Sequence, residues 1–318
     1  MRLGVDVGGT KTEAVAVDET GEIIARVRRP TGWGADAVIG TVRGAIDDLG
    51  VELGVELGAR LGSGFGGERG GGRSVRSLGI GIPGQIAPGG THIVHALNLG
   101  VDGLDLAAAI GPAVGAPVRV ENDVKAAAIG AYALDAHADA VRSIAYLNLG
   151  TGVAAGLVVA GELWRGARGT AGEIGHISVD PAGPTCRCGQ RGCIEAFAGG
   201  GAVAERWGRP GALPVRDVFD AADAGDPLAG ELRAGVAFGV AAAVRVLALA
   251  DDVDIVVLGG GLTALGERLL GDVRAELDRS AGASDFLRAQ HWAERITLLP
   301  AGSPAGALGA TLIGAQAS

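Results

Sequence analysis

All three cysteines of the chain lie within eight residues, and a histidine precedes the first by ten positions. They are Cys186, Cys188 and Cys193, with His176 upstream. Three thiolates and one imidazole make a complete tetrahedral zinc set, and the glycines in C-x-C-G-x-x-G-C let a short loop bend around one ion. The alternative is three buried thiols and an unrelated histidine. A closed four-ligand site has no open position for water, so this zinc would shape a loop and not perform hydrolysis.

The length and composition indicate two domains with closely packed backbones. A chain of 318 residues exceeds the usual size of a single core. Apolar residues make up 48% but aromatic residues only 3%, while 58 residues are glycine. Close approach of Ala, Val, Leu and Gly must therefore replace large rings in the core.

The net charge and the start of the chain exclude several function classes. A charge of -9 argues against nucleic acid or an anionic membrane as the main partner, since both reward a basic surface. The N-terminus lacks the cationic start and apolar run of a signal peptide, and no uninterrupted apolar span of membrane length is found. We expect a cytoplasmic protein, where reduced thiols are available to a metal.

The order of predicted elements repeats after residue 140. Strands are predicted at 3–7 and 12–18 on either side of a glycine turn, and again at 143–149 and 153–159 around a second one. Helices and further strands follow each hairpin. An internally duplicated α/β chain with a cleft between its halves fits this order best. Residues 50–75 are predicted to be a helix end and a loose surface loop, with a functional lid as the alternative.

The two glycine turns are candidate phosphate sites. The first contains Gly8, Gly9 and Thr10, followed by Lys11, and the second contains Gly150, Thr151 and Gly152. Bare backbone N–H groups and a hydroxyl can approach phosphate oxygens at such turns, although ordinary hairpins have the same residues. Asp6 is a candidate for orienting Mg²⁺ through water, or else an aspartate that caps the turn.

Two strand ends carry further candidates. Gly259 and Gly260 follow a buried strand, where a base or ribose can lie on bare backbone, but the exit of a strand also favours small residues. Asp123 sits where a strand ends and a helix begins, the usual place for catalytic side chains in α/β sheets. Its carboxylate can accept the proton of a substrate hydroxyl that Asn122 positions, or it can cap the helix. The sequence leaves both readings of Asp123 open.

Together these residues resemble the ROK family of bacterial sugar kinases and sugar-responsive repressors, within the hexokinase, actin and heat-shock ATPase fold group. The resemblance runs from residue 4 to residue 315. Its most specific part is Gly172-Glu173-Ile174-Gly175-His176 followed by the cysteine loop and Glu195. The resemblance implies duplicated ribonuclease-H-like (actin-like ATPase) α/β domains flanking a central cleft. The expected lobes are 1–118 plus 301–318, and 119–300.

The resemblance also implies roles for individual residues. Asp123 matches the catalytic base and Asn122 its sugar-binding neighbour. The remaining sugar-binding positions would be Gly84, Asn98, Glu173, His176 and Glu195. The positions that match the phosphate and adenosine motifs, and so would bind ATP and Mg²⁺, are Asp6, Gly8, Gly9, Thr10, Lys11, Gly150, Thr151, Gly152, Gly259 and Gly260. His176 would meet the sugar with one ring nitrogen and the structural zinc with the other, beside Cys186, Cys188 and Cys193.

Three departures from the family pattern concern the sugar. Many relatives have Asn at the position of Lys125 and Glu at the position of Ala131, and a tryptophan just after the residue matching Asn98. These changes bear on the identity of the sugar more than on the reaction.

The predicted function is that of an ATP-dependent hexose kinase, glucokinase-like, that phosphorylates the 6-hydroxyl of glucose or a related sugar. The alternatives are an N-acetylglucosamine or N-acetylmannosamine kinase, a sugar-sensing regulator and a non-catalytic sugar-binding protein. The first phosphate motif begins at residue 4, so we expect no DNA-binding domain before it. The expected partners are a small-molecule sugar and ATP, and the family suggests a homodimer or homotetramer.

Overall fold

The computed structural model describes residues 1–55, 57, 74–87, 89–134 and 141–316. Its strands are β1 Arg2–Val7, β2 Lys11–Val17, β3 Ile23–Pro30, β4 Ser77–Ile82, β5 Gln85–Ile86, β6 His92–Ala96, β7 Val101–Asp105, β8 Val118–Asn122, β9 Ser143–Leu149, β10 Val153–Val159, β11 Glu162–Trp164, β12 Ile255–Gly259 and β13 Ile296–Leu298. Its α-helices are α1 Ala35–Leu53, α2 Leu106–Val114, α3 Asp123–Leu134, α4 Ile194–Ala198, α5 Gly200–Trp207, α6 Pro214–Asp223, α7 Pro227–Ala250, α8 Glu267–Ala281, α9 Asp285–Arg288 and α10 Ala305–Ala315.

The chain forms two compact units, each built on a five-stranded sheet. Unit 1 contains Met1–Ala136, Arg165–Thr170 and Pro304–Ser318, and unit 2 contains His137–Trp164 and Ala171–Ser303. The strand orders are β3-β2-β1-β4-β8 and β11-β10-β9-β12-β13. In both sheets an antiparallel three-strand meander is extended by two parallel strands. The internal duplication predicted from the two glycine turns is therefore present in the topology.

These compact units divide the chain differently from the lobes expected at 1–118 with 301–318 and at 119–300. Strand β8 pairs in parallel with β4 from Leu78↔Val118 to Ile82↔Asn122. This pairing keeps β8 and the helix α3 that follows it within unit 1, together with Asp123. The short segment Arg165–Thr170 also belongs to unit 1, although residues on both sides of it along the chain belong to unit 2.

Unit 1 is held together by direct backbone contact between helix α10 and its neighbours. A Cβ atom at Gly79 of β4 would overlap the carbonyl oxygen of Ala310, and one at Gly309 would overlap that of Ala126 in α3. A Cβ at Gly4 of β1 would overlap the carbonyl oxygen of Ala307. No side chain fits at these positions, so glycine allows the helix to lie directly on the strands and on α3. This is the close packing that the high glycine and low aromatic content predicts.

The core of unit 2 surrounds helix α7. Buried residues on α7 include Leu232, Val236, Val240 and Leu247, which join a cluster that also contains Phe219. By length and composition alone α7 could cross a membrane, but 61% of its most apolar window is buried inside the protein. Core helices of globular proteins meet the same length and composition test. Its apolar character is thus accounted for by the core that it fills.

The two predicted hairpins are present as β1 with β2 and as β9 with β10. Strands β5, β6 and β7 form a separate small sheet that was not predicted, because His92-Ile93-Val94-His95-Ala96 shows no clean alternation and β5 has only two residues. Helix α8 begins only at Glu267, since Gly261–Leu265 forms a 3₁₀ turn first. Of the predicted loop at 50–75, α1 extends to Leu53, and residues 56 and 58–73 lie outside the described residues.

The α10 contact predicts the effect of adding one methyl group. Gly309→Ala should lower the free energy of unfolding by about 1–3 kcal/mol, because the methyl group must displace the backbone of α3. The matched control is Gly40→Ala on α1, where nothing lies within 4 Å of the added carbon. Alanine should be neutral or slightly stabilising there. Urea unfolding of both variants would measure the difference, and equal midpoints would contradict the role given to this contact.

Candidate active site

Two aspartates flank one glycine at the carboxyl end of the parallel strands of unit 1. Asp6 on β1 pairs with Gly81 on β4, and Gly81 pairs with Glu121 on β8. A Cβ atom at Gly81 would lie 3.6 Å from Oδ1 of Asp6 and 3.6 Å from Cα of Asp123. The carboxyl ends of neighbouring parallel strands are where α/β sheets bind ligands. The strand register therefore brings Asp6 and Asp123 to one edge of the sheet.

The surroundings of Asp6 disfavour the ionised form of its carboxyl group. Burial, together with the nearby carboxylates of Asp123 and Glu13, raises its pKa to about 7, and Lys11 opposes this rise. Gly306 at the start of α10 packs directly against the carboxylate, so that a Cβ atom there would overlap it. A carboxylate in this position lacks enough positive charge from the protein. A divalent cation would supply that charge and favour the ionised form.

The residue before Asp123 caps helix α3. Oδ1 of Asn122 accepts hydrogen bonds from the backbone N–H groups of Val124 at 3.1 Å and Lys125 at 3.2 Å. Asn122 is therefore the residue that caps α3. Asp123 begins the helix, and its Oδ1 accepts from Val124 N–H at 2.9 Å. Asn122 also donates from Nδ2 to the carbonyl oxygen of Gly84 at 3.2 Å, which joins two predicted sugar-binding residues.

The first glycine turn is a tight hairpin whose tip is exposed. Gly8 N–H donates to the carbonyl oxygen of Lys11 at 2.9 Å, and Gly9, Thr10 and Lys11 are exposed. Exposed backbone at such a tip is available to an anion. A Cβ atom at Gly9 would lie 3.9 Å from the carbonyl oxygen of Asn98, itself on an exposed 3₁₀ turn. The structure thus brings the first glycine turn and Asn98 together.

Gly84 requires glycine for a steric reason. Its φ is +112°, and a Cβ atom would overlap the carbonyl oxygen of His95 on β6. The small sheet β5–β7 can approach the end of β4 only because this position has no side chain. The predicted site residue Gly84 therefore has a structural role whether or not it touches a ligand.

Two residues outside the predicted site set flank Asp123 and hold a distant segment. Glu121 Oε2 pairs with Nε of Arg165 at 2.6 Å, and Lys125 donates from Nζ to the carbonyl oxygen of Gly169 at 2.6 Å. Both partners lie in the segment Arg165–Thr170, which joins unit 1 through these contacts. Lys125 is one of only two lysines and departs from the family pattern, which was the available signal. Arg165 carried no comparable signal among the many arginines.

In unit 2, the second glycine turn lies against helices α4 and α5. The carbonyl oxygens of Gly150 and Thr151 each accept a backbone hydrogen bond at 2.9 Å, from Gly200 and Gly201 respectively. Glu195 on α4 accepts from Val153 N–H through Oε2, also at 2.9 Å. The turn is therefore fixed from two sides by residues about 45 positions further along the chain.

The Gly172-Glu173-Ile174-Gly175-His176 motif wraps along strand β10. Cβ atoms at Gly172 and Gly175 would overlap the carbonyl oxygens of Ala155 and Val153, and Gly172 has φ +93°. The two glycines are thus needed for close approach to the strand, and they leave Glu173 and His176 exposed. Glu195 contacts the first residue of the same strand. The three predicted sugar-binding residues of unit 2 are therefore arranged around β10.

The four predicted zinc ligands converge. One donor atom from each of His176, Cys186, Cys188 and Cys193 lies within 4.8 Å of the other three. Cys188 Sγ and Cys193 Sγ are 3.7 Å apart, and His176 turns Nδ1 toward Cys186 Sγ at 4.0 Å. Ligands at the ordinary Zn–S distance in a tetrahedron are separated by roughly 3.8 Å. The donor set and its spacing fit a closed zinc site.

The three thiols differ in acidity. Hydrogen bonds from Gln190 lower the pKa of Cys188 to about 6, whereas burial raises the pKa of Cys193 to about 12. Burial also raises the pKa of Cys186. Metal binding requires thiolates, so an ion that binds here must release protons from the two buried thiols, and Cys188 is the thiol most readily ionised at neutral pH.

Packing explains Gly259 and Gly260. A Cβ atom at Gly259 would overlap the ring of Tyr146, and one at Gly260 would lie 2.6 Å from the backbone of Leu149. Gly260 also has φ +87°. Close packing at the end of β12 therefore explains why both positions are glycine, whether or not they contact a ligand.

A model of the ROK family matches residues 68–317. The chain belongs to the ROK family. Glucokinase from Halalkalibacterium halodurans is 30% identical over 298 residues, covering 88% of this chain and 86% of that protein. N-acetylmannosamine kinase from Citrobacter koseri is 33% identical over 276 residues, covering 86% and 87%.

A solved structure of a ROK family glucokinase from Streptomyces griseus, in complex with glucose and AMPPNP, has the same fold. It superposes with a TM-score of 0.76 at 28% identity and covers 99% of both chains. The fold predicted from the sequence, two duplicated ribonuclease-H-like α/β domains of the actin-like ATPase type, is thereby confirmed.

The raised pKa of Asp6 predicts a pH dependence of stability. Between about pH 4 and pH 7 Asp6 stays protonated in the folded chain but is ionised in the unfolded chain. The free energy of unfolding therefore falls as the pH rises from about 4 to about 7. Asp6→Asn removes this loss, and the variant should be more stable than the parent by about 2–4 kcal/mol at pH 8 but not at pH 4. Thermal unfolding at both pH values measures this. The exposed control Asp47→Asn should show no such crossover, and a difference for Asp6→Asn that is independent of pH would contradict the assignment.

Proposed function

We propose that this chain is an ATP-dependent hexose kinase that transfers the γ-phosphoryl group to the 6-hydroxyl of glucose or a related sugar. One observation carries the proposal beyond family membership. Asp123 lies at the strand edge beside Asp6, while the helix cap that would otherwise explain an aspartate there is supplied by Asn122. A carboxylate at this edge is suited to accept the proton of a sugar hydroxyl.

The phosphate groups of ATP would be held by backbone and by a cation. The glycine turns containing Gly8, Gly9, Thr10 and Lys11 in unit 1 and Gly150, Thr151 and Gly152 in unit 2 offer N–H groups to phosphate oxygens. Asp6 would orient Mg²⁺ through water, and the cation would in turn favour its ionised form. Gly259 and Gly260 would lie next to the adenosine. Mg²⁺ supplies charge neutralisation for phosphates when bound, and positioning by the protein supplies the rest.

The sugar would be recognised by side chains that hydrogen-bond to its hydroxyl groups. Glu173, His176 and Glu195 can accept hydrogen bonds from hydroxyl groups, and Asn122 can orient the hydroxyl that reacts. Asn98 and the backbone at Gly84 would complete recognition from unit 1. His176 would use Nε2 for the sugar, because its Nδ1 is turned toward Cys186.

Zinc would be held by His176, Cys186, Cys188 and Cys193 as a structural ion. It would fix the loop and set the ring direction and tautomer of His176, so that the histidine is presented in one orientation. The fit of the donor spacing to a tetrahedron supports this part of the proposal.

A second candidate function is phosphorylation of an N-acetylhexosamine. The similarity to N-acetylmannosamine kinase, at 33% identity, favours it specifically. Lys125 and Ala131, which depart from the common family pattern, are the positions through which the substrate can differ. A coupled ADP-release assay with glucose, mannose, N-acetylglucosamine and N-acetylmannosamine would rank the two candidates by kcat/KM. We further propose a cytoplasmic enzyme that assembles as a homodimer or homotetramer.

The proposed base is tested by Asp123→Asn. The amide keeps the shape and loses the basic oxygen, so ADP release with sugar should fall on the order of 10²–10⁴-fold while nucleotide still binds. The matched control is Asp105→Asn, because Asp105 is an aspartate of the same unit that does cap a helix, accepting from Ala108 N–H at 2.8 Å. Its activity should stay near that of the parent. Turnover of Asp123→Asn within threefold of the parent would remove Asp123 from this role.

The zinc proposal is tested by elemental analysis of protein purified without chelators. We expect close to one zinc per chain, and Cys188→Ser should lower both the zinc content and the affinity for sugar, because His176 depends on the same ion. Protein without zinc would contradict the metal assignment. Sugar affinity that is unchanged after zinc loss would contradict only the link to His176.

A further inference from the structure

Glu195 does more than face a ligand, because its carboxylate is built into the second glycine turn. Oε2 accepts from Val153 N–H at 2.9 Å, and a Cβ atom at Gly152 would overlap the same oxygen. Gly199, one helical turn later, also lies close: a Cβ atom there would be 2.9 Å from Cγ of Glu195. The side chain is thus enclosed by residues 152, 153 and 199, each of which limits where it can move.

Helix α5 makes a second set of contacts with the turn. Its first amides, Gly200 and Gly201, donate to the carbonyl oxygens of Gly150 and Thr151. No cis peptide occurs in the described residues, and N–H and C=O point in opposite directions across a trans peptide. The N–H groups of Thr151 and Gly152 therefore point away from α5. Two adjacent N–H groups directed the same way form an anion-binding concavity.

Glu195 restrains the next peptide of the turn, the one between Gly152 and Val153. Gly152 has no side chain to restrain its backbone, and the peptide that follows it carries the N–H that Glu195 binds. Without an acceptor at this point, the turn is held by the α5 contacts and by the bond from Gly150 N–H to the carbonyl oxygen of Gly152 at 3.1 Å, and the N–H of Val153 loses its partner. Among the described residues Oε1 of Glu195 accepts no hydrogen bond, so a sugar hydroxyl can be bound without breaking the contact to Val153.

We propose that Glu195 is a positioning residue for the nucleotide phosphates: its Oε2 holds the turn Gly150–Thr151–Gly152 in the conformation that binds them. This rests on the proposed function, since it assumes that this turn binds phosphate. What Glu195 supplies to the turn is an acceptor oxygen and not its charge. A negative charge at this place would repel phosphate, so the contact is useful only through the geometry that it imposes.

The distinction between acceptor and charge gives the test. Dissociation constants for Mg·ADP are measured by titration calorimetry without sugar, for the parent, Glu195→Ala, Glu195→Gln and the exposed control Glu231→Ala. Alanine removes the acceptor, so binding should weaken roughly tenfold. Glutamine keeps an acceptor oxygen and removes the charge, so its dissociation constant should equal that of the parent or be lower. The control should match the parent.

The sugar side of the same variants should behave differently. KM for the sugar should rise roughly 10- to 150-fold in Glu195→Gln, because a charge-assisted hydrogen bond to a hydroxyl is lost. Glu195→Gln should therefore bind Mg·ADP as the parent does and still have a raised KM for the sugar. A residue that only supports the fold would not give this pattern. Gly152→Ala provides an independent perturbation, since its methyl group must push Oε2 away from the turn, and it should also weaken Mg·ADP binding.

Each outcome decides between the two proposals. Equal Mg·ADP binding by the parent, Glu195→Ala and Gly152→Ala would overturn the positioning role and leave the kinase proposal standing. Equal weakening by alanine and glutamine would also overturn it, because the acceptor would then not be what matters. If the parent itself fails to bind Mg·ADP, the proposed function fails, and this inference fails with it. If Glu195→Ala does not fold, Gly152→Ala and Glu195→Gln still decide the question.

Discussion

The arrangement of unit 1 depends on how closely helix α10 can approach β1, β4 and α3. At Gly4, Gly79 and Gly309 the backbone of one element touches the backbone of another, and a single methyl group would separate them. Gly306, in the first turn of the same helix, lies against the carboxylate of Asp6, and the helix packs along α3, which begins with Asp123. The interatomic spacing at the candidate catalytic edge is therefore set by glycine contacts in the core. This explains how a chain with few aromatic residues still forms a tightly defined site.

Close packing also explains the electrostatic state of that edge. Packing of α10 against Asp6 helps to bury the carboxylate, and a second carboxylate, Asp123, lies nearby at the end of β8. Both effects disfavour charge on Asp6. A site that is unfavourable for an unaccompanied anion is favourable for an anion with a cation, which is what a nucleotide with Mg²⁺ brings. The packing, the raised pKa and the proposed binding of metal and nucleotide are consequences of one constraint.

The sequence was informative where function depends on a local pattern. The cysteine loop with His176, the two glycine turns and the strand–helix junction at Asp123 could all be located from spacing, and the duplicated α/β fold followed from their order. It was uninformative about hydrogen bonds between residues that are distant along the chain. Neither the bond of Glu195 to Val153 nor that of Lys125 to Gly169 leaves a periodic or local signal. The capping of helix α3 by Asn122 likewise became visible only from the direction of its side chain.

The packing around a glycine decides how much its match to a family motif says about a ligand. Gly84, Gly172, Gly175 and Gly259 match family positions, yet each one also has a neighbour that excludes a side chain. A match at such positions is required by the fold and adds little about the ligand. Gly9 and Gly150 differ, since a Cβ atom at either would meet no atom closer than 3.9 Å and 3.2 Å respectively. At these two positions the fold does not by itself require glycine, so close approach of a ligand is the better explanation for it.

The central claim is that the chain transfers a phosphoryl group from ATP to the primary hydroxyl of a hexose. It is tested most directly by ³¹P nuclear magnetic resonance of a reaction containing the protein, Mg·ATP and glucose. The account predicts formation of ADP together with a phosphomonoester. Its phosphorus should couple to the two protons of one methylene carbon, as at position 6. N-acetylmannosamine in place of glucose tests the second substrate class with the same readout. Release of inorganic phosphate alone, or unchanged ATP with every hexose offered, would contradict the account.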